Sequence, residues 1–445
     1  IAHRVVAFPF SPPSDSLSPQ RAVGYPTGNR MKLSEIEQEM LAGKMGEPRR
    51  QAVEHQLRVG RFFDAEDTVE IGHVHIMADT EALGEAGVRF LEETASYPKK
   101  DRCVRVPTVT DPRGADFNSF KRIRHDERFI GLERRAVNAL RRLDIMMTDT
   151  CINYQVFMPP VFGEHVAFGV TGSSIYANSV LGARTNFEGG PSALAAALTG
   201  HTPCYGFHLD ACRRGTTLFQ IAAQPTTYSD WGVLGGLVGR EMQSYWEVPV
   251  IDGIESMPTS DELKHFGAAL ASFGSTPLFH MVGVTPEARD LREVVDGTPP
   301  TARLLDQAAV KGFYGRYLPN DDVLHVVVFA APQLSLDEMR RLGHLLDNQR
   351  VSEKVALIAC TAPAVKESCD RMGITAQIED AGGIVLEGVC FYNMHAREIG
   401  EANGWRRLMS NSAKIVNILG GYGYEPVLSS MENCVASAVA GRIVQ

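Results

Sequence analysis

The sequence predicts an α/β protein with parallel sheets, flanking helices and more than one domain. Three observations carry this. Between about 320 and 392, apolar runs of strand length alternate with helical segments as strand–helix–strand–helix–strand, an order that right-handed crossovers close into a parallel sheet. From about 60 to 275, short β-rich runs again alternate with helical ones. The 445 residues, 44% hydrophobic and 22% charged, exceed one small core and have the composition of a globular enzyme.

In chain order, residues 1–30 carry Pro9, Pro12, Pro13, Pro19 and Pro26 among serines and read as an extended arm or linker. Ser34 and Glu37 have capping-box spacing and start a helix. Val69–Met77 and Val104–Val109 read as strands, and Phe129–Leu143 as a basic amphipathic helix. The small-residue stretch 163–215 predicts close backbone approach, with a helix capped by Ser192 and ended by Gly200. Val323–Ala331, Lys354–Ala359 and Ile384–Val389 are the predicted strands of the later sheet, the first followed by a helix that Ser335 and Glu338 cap. Ligands of such sheets bind beyond the carboxyl ends of the strands, where Ala331, Cys360 and Cys390 stand. A last helix is expected from a Ser429–Glu432 box. The expected division is an arm at 1–30, a first α/β region at 31–275, a parallel α/β domain at 276–400 and a C-terminal helical segment at 401–445 that closes the site.

Several function classes drop out. With 44 basic against 53 acidic residues, the net charge of −9 argues against binding nucleic acid or an acidic membrane. No apolar run is long enough to cross a bilayer, and the N-terminus lacks the pattern of a signal peptide, so a cytoplasmic protein is expected. The eight cysteines are scattered and form no C-x-x-C, which excludes a disulfide scaffold and a simple zinc ribbon but leaves convergence on one iron–sulfur cluster open. Nucleotide-binding P-loop, Rossmann and H-E-x-x-H motifs are absent.

Some residue patterns carry chemistry of their own. His73 and His75 share a face if extended, either as ligands of a metal or carboxylate or as a buried hydrogen-bonded pair. Glu164 and His165 form an acid–base pair only if chain neighbours point the same way. Lys414, in S-N-S-A-K, falls in a first helical turn, where it would bind a carboxylate or phosphate or simply face solvent.

The run F-G-E-H-V-A-F-G followed by Y-A-N-S-V-L-G-A-R-T-N-F-E-G-G-P-S-A-L-A-A-A-L-T-G-H-T-P, within Phe162 to Pro203, resembles the large-subunit region of the aconitase X family. V-P-T-V-T-D-P at 106–112, T-C at 150–151, F-H-M-V-G-V-T-P-E at 279–287, A-P-Q-L-S at 331–335, G-V-C at 388–390, N-S-A-K at 411–414 and S-M-E-N-C-V-A-S-A-V-A-G at 430–441 follow in family order. The resemblance implies an aconitase-superfamily core and an iron-dependent hydro-lyase acting on a small hydroxy acid. Of the family's activities, dehydration of cis-3-hydroxy-L-proline to pyrroline-2-carboxylate is preferred; phosphomevalonate dehydration and a non-catalytic subunit that keeps the fold are the alternatives. By motif position the resemblance implies Cys151 and Cys390 as ligands of an iron–sulfur cluster. Ala331 replaces the third family cysteine, so Cys434 is the expected substitute, Cys360 the other candidate, and the centre is 2Fe–2S, 4Fe–4S or a single iron. It further implies Lys414 and His75 as catalytic groups, and Asp79, Asp111, Pro112, Thr171, Ser173 and Lys414 as substrate contacts. The family's base resembles a serine from a small swivelling domain or partner subunit.

Overall fold

The computed structural model describes residues 31–444, so the predicted arm at 1–30 lies outside the described residues. The first region holds β1 (Thr68–Glu70), β2 (Val74–Ile76), β3 (Thr108–Thr110), β4 (Ala167–Phe168) and β5 (His201–Pro203). β3, β2 and β4 form a parallel sheet in that order, and β1 pairs antiparallel with β5. The single strand expected over Val69–Met77 is therefore two strands in two sheets, split where Gly72 packs against the Glu164 side chain. Next come β6 (Thr217–Ile221), β7 (Pro249–Asp252), β8 (His280–Met281) and β9 (Arg303–Leu305), parallel in the order β8-β7-β6-β9. The last sheet contains β10 (Val326–Leu334), β11 (Ala356–Thr361), β12 (Ile384–Glu387), β13 (Arg407–Ser410) and β14 (Glu425–Leu428), all parallel in the order β12-β11-β10-β13-β14. The expected boundary at 275/276 thus falls inside the second sheet, and the segment 401–445 supplies two strands as well as helices.

β10 is buried along its whole length, as a central parallel strand covered on both faces must be. Its residues alternate between two cores. Val326, Val328 and Ala330 face a core shared with Trp231, Phe266 and Ile415, whereas Val327 and Phe329 face one built from Met339, Leu342, Ile378 and Val435. In the first core the helices Tyr228–Glu241 and Ser260–Gly274 cross closely, because a Cβ on Gly235 would stand 2.2 Å from the Phe266 carbonyl oxygen.

Local signals locate several helix ends. Ser34–Glu37 and Ser335–Glu338 form the expected capping boxes, and Gly200 ends the helix Gly190–Thr199 in the left-handed conformation. That helix starts two residues before Ser192, whose hydroxyl instead meets His55 Nε2 at 2.9 Å. The final helix, Met431–Ala440, is capped by Ser430 rather than Ser429.

Candidate active site

The strand order of the last sheet changes direction between β10 and β13, the switch point where open parallel sheets leave a crevice at their carboxyl ends. Ala331, at φ 55°, and Gln333 lie at the end of β10, Thr361 ends β11, Cys390 follows β12 and Lys414 follows β13. Across the switch point, Ser412 Oγ donates to the Ala331 carbonyl at 2.6 Å. The carboxyl ends of the first sheet meet this edge, with Asp79 after β2, Asp111 and Pro112 after β3, and Thr171 and Ser173 after β4. A backbone bridge joins the two sheets, since the Arg113 N–H donates to the Gly388 carbonyl at 2.8 Å.

Cys151 and Cys390 are buried side by side, each thiol shifting the other's pKa. The Cys390 thiol, together with the Gln333 N–H at 3.4 Å from Cys151 Sγ, holds the Cys151 thiol below the usual range, while burial and the Cys151 neighbour push Cys390 up. Cys360 is buried in the same core, its thiol pushed up by desolvation.

Asp111 is buried and neither carboxylate oxygen has a hydrogen-bond partner. Desolvation, with the nearby Cys151 and Asp79, pushes its pKa well above the carboxylate range, and Lys414 only partly offsets this. Burial raises Asp79 to about 7 although its carboxylate caps the helix Thr80–Ser96 through the Ala82 N–H at 2.9 Å. Lys414 Nζ is 3.4 Å from Thr171 Oγ1 and 5.4 Å from the centre of the Tyr392 ring. Ser412 caps its helix, as S-N-S-A-K predicts, but the helix spans only Ala413–Leu419 and the lysine is buried rather than facing solvent.

The remaining expectations meet specific geometry. His75 is fully buried with both ring nitrogens engaged: Nε2 meets the Thr150 carbonyl at 2.8 Å and Nδ1 meets Ser173 Oγ at 2.9 Å. Desolvation lowers its pKa to about 4, so a neutral ring ties β2 to the residue before Cys151 and to the helix after β4. His73 turns to Glu164, Nδ1 to Oε1 at 3.2 Å, and His165 turns to His208, so Glu164 and His165 point apart. Cys434 is a correction to the expected ligand set. It packs with Met431, Val435 and Met339 in the core on the other side of the last sheet, and its thiol reaches only the Ser429 carbonyl, at 4.0 Å. Among the described residues no group of three or more His, Cys, Asp or Glu side chains converges as a metal site. Two thiols, Cys151 and Cys390, are thus the donors that the described residues bring together here, with no third beside them.

Sequence reasoning missed Tyr392, Gln333, Asn393 and Lys264. Tyr392 and Asn393 follow Cys390 directly, a local signal that was available; Asn393 Nδ2 lies 3.4 Å from Asp79 Oδ2. Gln333 stands in the A-P-Q-L-S run but nothing there points to its partners, and Lys264 carries no local signal; both reach the site through the fold.

Comparison with known proteins identifies the family and agrees with the fold. Family models described as the first, second and third domains of aconitase X match residues 30–211, 215–311 and 324–440. A phosphomevalonate dehydratase large subunit from Methanothermobacter thermautotrophicus is 32% identical over 91% of this chain and 98% of its own. A cis-3-hydroxy-L-proline dehydratase from Pseudomonas aeruginosa is 30% identical over 97% of this chain and 74% of its own. The crystal structure of Thermococcus kodakaraensis aconitase X, a holo-form, superimposes with a TM-score of 0.82 at 29% identity, covering 92% of this chain and all of that one. No helix among the described residues is long and apolar enough to cross a membrane.

Proposed function

The chain belongs to the aconitase X family of hydro-lyases, and from that premise we propose that it dehydrates cis-3-hydroxy-L-proline to pyrroline-2-carboxylate. The observation that carries the choice of substrate is the charge balance of the crevice. Among the described residues Lys414 is the cation facing the thiol pair without an ion-pair partner, because Lys264 is engaged by Glu338 and Asp261, and Arg113 by Asp149. Two buried carboxyl groups belong to the same crevice: Asp111, which interacts electrostatically with Lys414, and Asp79, which neighbours Asp111. A zwitterionic imino acid matches this set: Lys414 and Thr171 take its carboxylate, and the unpartnered Asp111, with Asp79, takes its ring ammonium. Phosphomevalonate, with a carboxylate and a phosphate carrying about −1.5 to −2, would set two anionic groups against one lysine and two carboxyls.

Each residue has a role in this reading. Cys151 and Cys390 hold the iron centre, which when bound supplies a Lewis acid for a hydroxyl that leaves poorly as hydroxide. Lys414 fixes the carboxylate and stabilises the charge that grows on it as the neighbouring proton departs. Thr171 and Ser173 line the crevice beside it, Pro112 shapes the Asp111 loop, and Tyr392 covers the lysine with its ring. His75 has no free nitrogen, so it positions Thr150 and Ser173 rather than moving a proton. The base is a serine from a smaller domain or subunit. The naming of relatives as large subunits supports that partner, as does the quarter of the Pseudomonas protein's length that this chain does not match.

Phosphomevalonate dehydration is the second reading, favoured by the near-complete coverage of the large subunits that carry that name. Calorimetry on anaerobically prepared protein decides between them. Binding of cis-3-hydroxy-L-proline, with weaker binding of the trans isomer and none of phosphomevalonate, supports the proposal; binding of phosphomevalonate alone overturns it.

A further inference from the structure

Gln333 is fully buried at the end of β10, two residues beyond Ala331. Its side-chain amide nitrogen lies 3.0 Å from the Val389 carbonyl oxygen, 3.2 Å from that of Asp149 and 3.4 Å from that of Thr361. Val389 immediately precedes Cys390, Asp149 stands two residues before Cys151, and Thr361 immediately follows Cys360. One NH2 group therefore gathers the backbone beside three cysteines that are far apart in the sequence. The amide orientation is fixed by chemistry, since a reversed group would turn its oxygen towards three carbonyl oxygens. The backbone of the same residue works in the same direction: its N–H donates to Cys151 Sγ at 3.4 Å, and its carbonyl accepts from Lys264 Nζ at 3.3 Å. Lys264 is in turn held by Glu338 and Asp261, so the clamp is anchored in a buried ion cluster.

We propose that Gln333 is a positioning residue that holds the Cys151 and Cys390 thiols together by clamping the carbonyls beside them, a constraint built into the polypeptide where Ala331 supplies no third thiolate. The use of those thiols for iron rests on the dehydratase reading above, but the clamp itself does not. It acts in the iron-free protein and needs no substrate.

The test uses the full chain, freed of iron and reduced, with phenylarsine oxide as the probe. The arsenic(III) of this reagent bridges two adjacent thiols, forming two As–S bonds and releasing one water. Peptide mass mapping identifies the bridged cysteines. Wild type is expected to bridge Cys151 to Cys390, and Cys151→Ser to lose that adduct. Gln333→Met keeps the shape and the backbone N–H but removes the amide; the expected result is bridging weakened at least about ten-fold, equivalent to one decade in dissociation constant, with the variant still unfolding cooperatively. Bridging as tight as wild type in that folded variant overturns the proposal. Should Gln333→Met fail to fold, Gln333→Asn carries the same two outcomes, because its shorter amide cannot span the three carbonyls. Wild type that bridges the arsenical but takes up no iron on anaerobic reconstitution would sink the dehydratase reading and leave the clamp standing.

Discussion

Two buried charge clusters lie on either side of Cys151, and their atoms are satisfied in opposite ways. On one side Lys264 contacts Glu338, sits 2.9 Å from Asp261 Oδ1 and donates to the Gln333 carbonyl. Glu338 also meets His265 Nε2 at 2.6 Å and closes the capping box with Ser335, whose hydroxyl donates to Asp261 at 2.6 Å. Burial alone would raise the Glu338 pKa, yet Lys264 and His265 hold it at about 2. On the other side Asp111 is as deeply buried, has no hydrogen-bond partner, and its pKa moves well up. A native interior leaves a carboxyl group unpartnered at a cost of a few kcal/mol. The first cluster is therefore complete within the chain, whereas the second leaves hydrogen-bonding capacity unused, which in the proposed function is taken up by the ligand.

Cutting the complete cluster gives the largest expected effect. Glu338→Gln leaves buried Lys264 short of its main counter-charge and should destabilise the fold by about 3–5 kcal/mol, read as a lower urea midpoint. A loss under about 1 kcal/mol would mean that the cluster is no more than a surface-type ion pair and would erase the contrast.

A pH titration of stability comes next. His75 is neutral in the fold because burial lowers its pKa from 6.5 to about 4. The unfolded chain binds its proton more readily, so this contribution is fully present above pH 6.5 and is lost as the pH falls towards 4. At about 1.4 kcal/mol per pKa unit the loss is about 3 kcal/mol. Wild type should lose that much more stability between pH 7 and 4 than His75→Gln does, measured by denaturant unfolding at each pH; parallel curves would remove His75 from the account.

Asp111→Asn sharpens the comparison from the other side. It removes an unpartnered acid, so stability should change by less than about 1 kcal/mol, whereas ligand binding loses a charge-assisted hydrogen bond of about 1.5–3 kcal/mol, roughly ten- to a hundred-fold in dissociation constant. Calorimetry with cis-3-hydroxy-L-proline reads the second number. Destabilisation as large as that of Glu338→Gln would show that Asp111 is a structural acid.

What the sequence revealed and what it hid divide along the same physical line. Signals confined to one turn or one strand were legible: the Ser335–Glu338 box, the left-handed cap at Gly200, and the buried apolar run of β10. Of the expected site residues, Asp79, Asp111, Thr171, Cys390 and Lys414 each lie one to four residues past the end of a strand, at the carboxyl edges of the two sheets. Gln333 and Lys264 were not legible, because their contacts with one another and with the chain beside the cysteines join segments 28 to 184 residues apart in sequence, and no local pattern records such a partner. Cys434 lies apart from the thiol pair for the complementary reason. Its motif marks a position along the chain, but the helix that carries it packs on the other side of the sheet from the thiol pair.

Cys434 also supplies the smallest expected effect and a strict control on the thiol pair. Like Cys151 it is buried, so burial does not distinguish a ligand from a packing residue; the neighbours do. Cys151 has the Gln333 N–H and the Cys390 thiol beside it, both of which favour its thiolate, whereas Cys434 has apolar side chains and a pKa pushed up by desolvation. A thiolate is the form that binds metal, and only the first environment supports one. Cys434→Ala should cost about 1 kcal/mol in stability through the small void it leaves and should retain the iron per chain of the wild type after anaerobic reconstitution. Cys151→Ser, under the same treatment, should lose it. Iron lost equally from both variants would mean that the helix Met431–Ala440 swings its thiol to the pair when the centre assembles, and the partition of the two cores described above would then apply to the metal-free state alone.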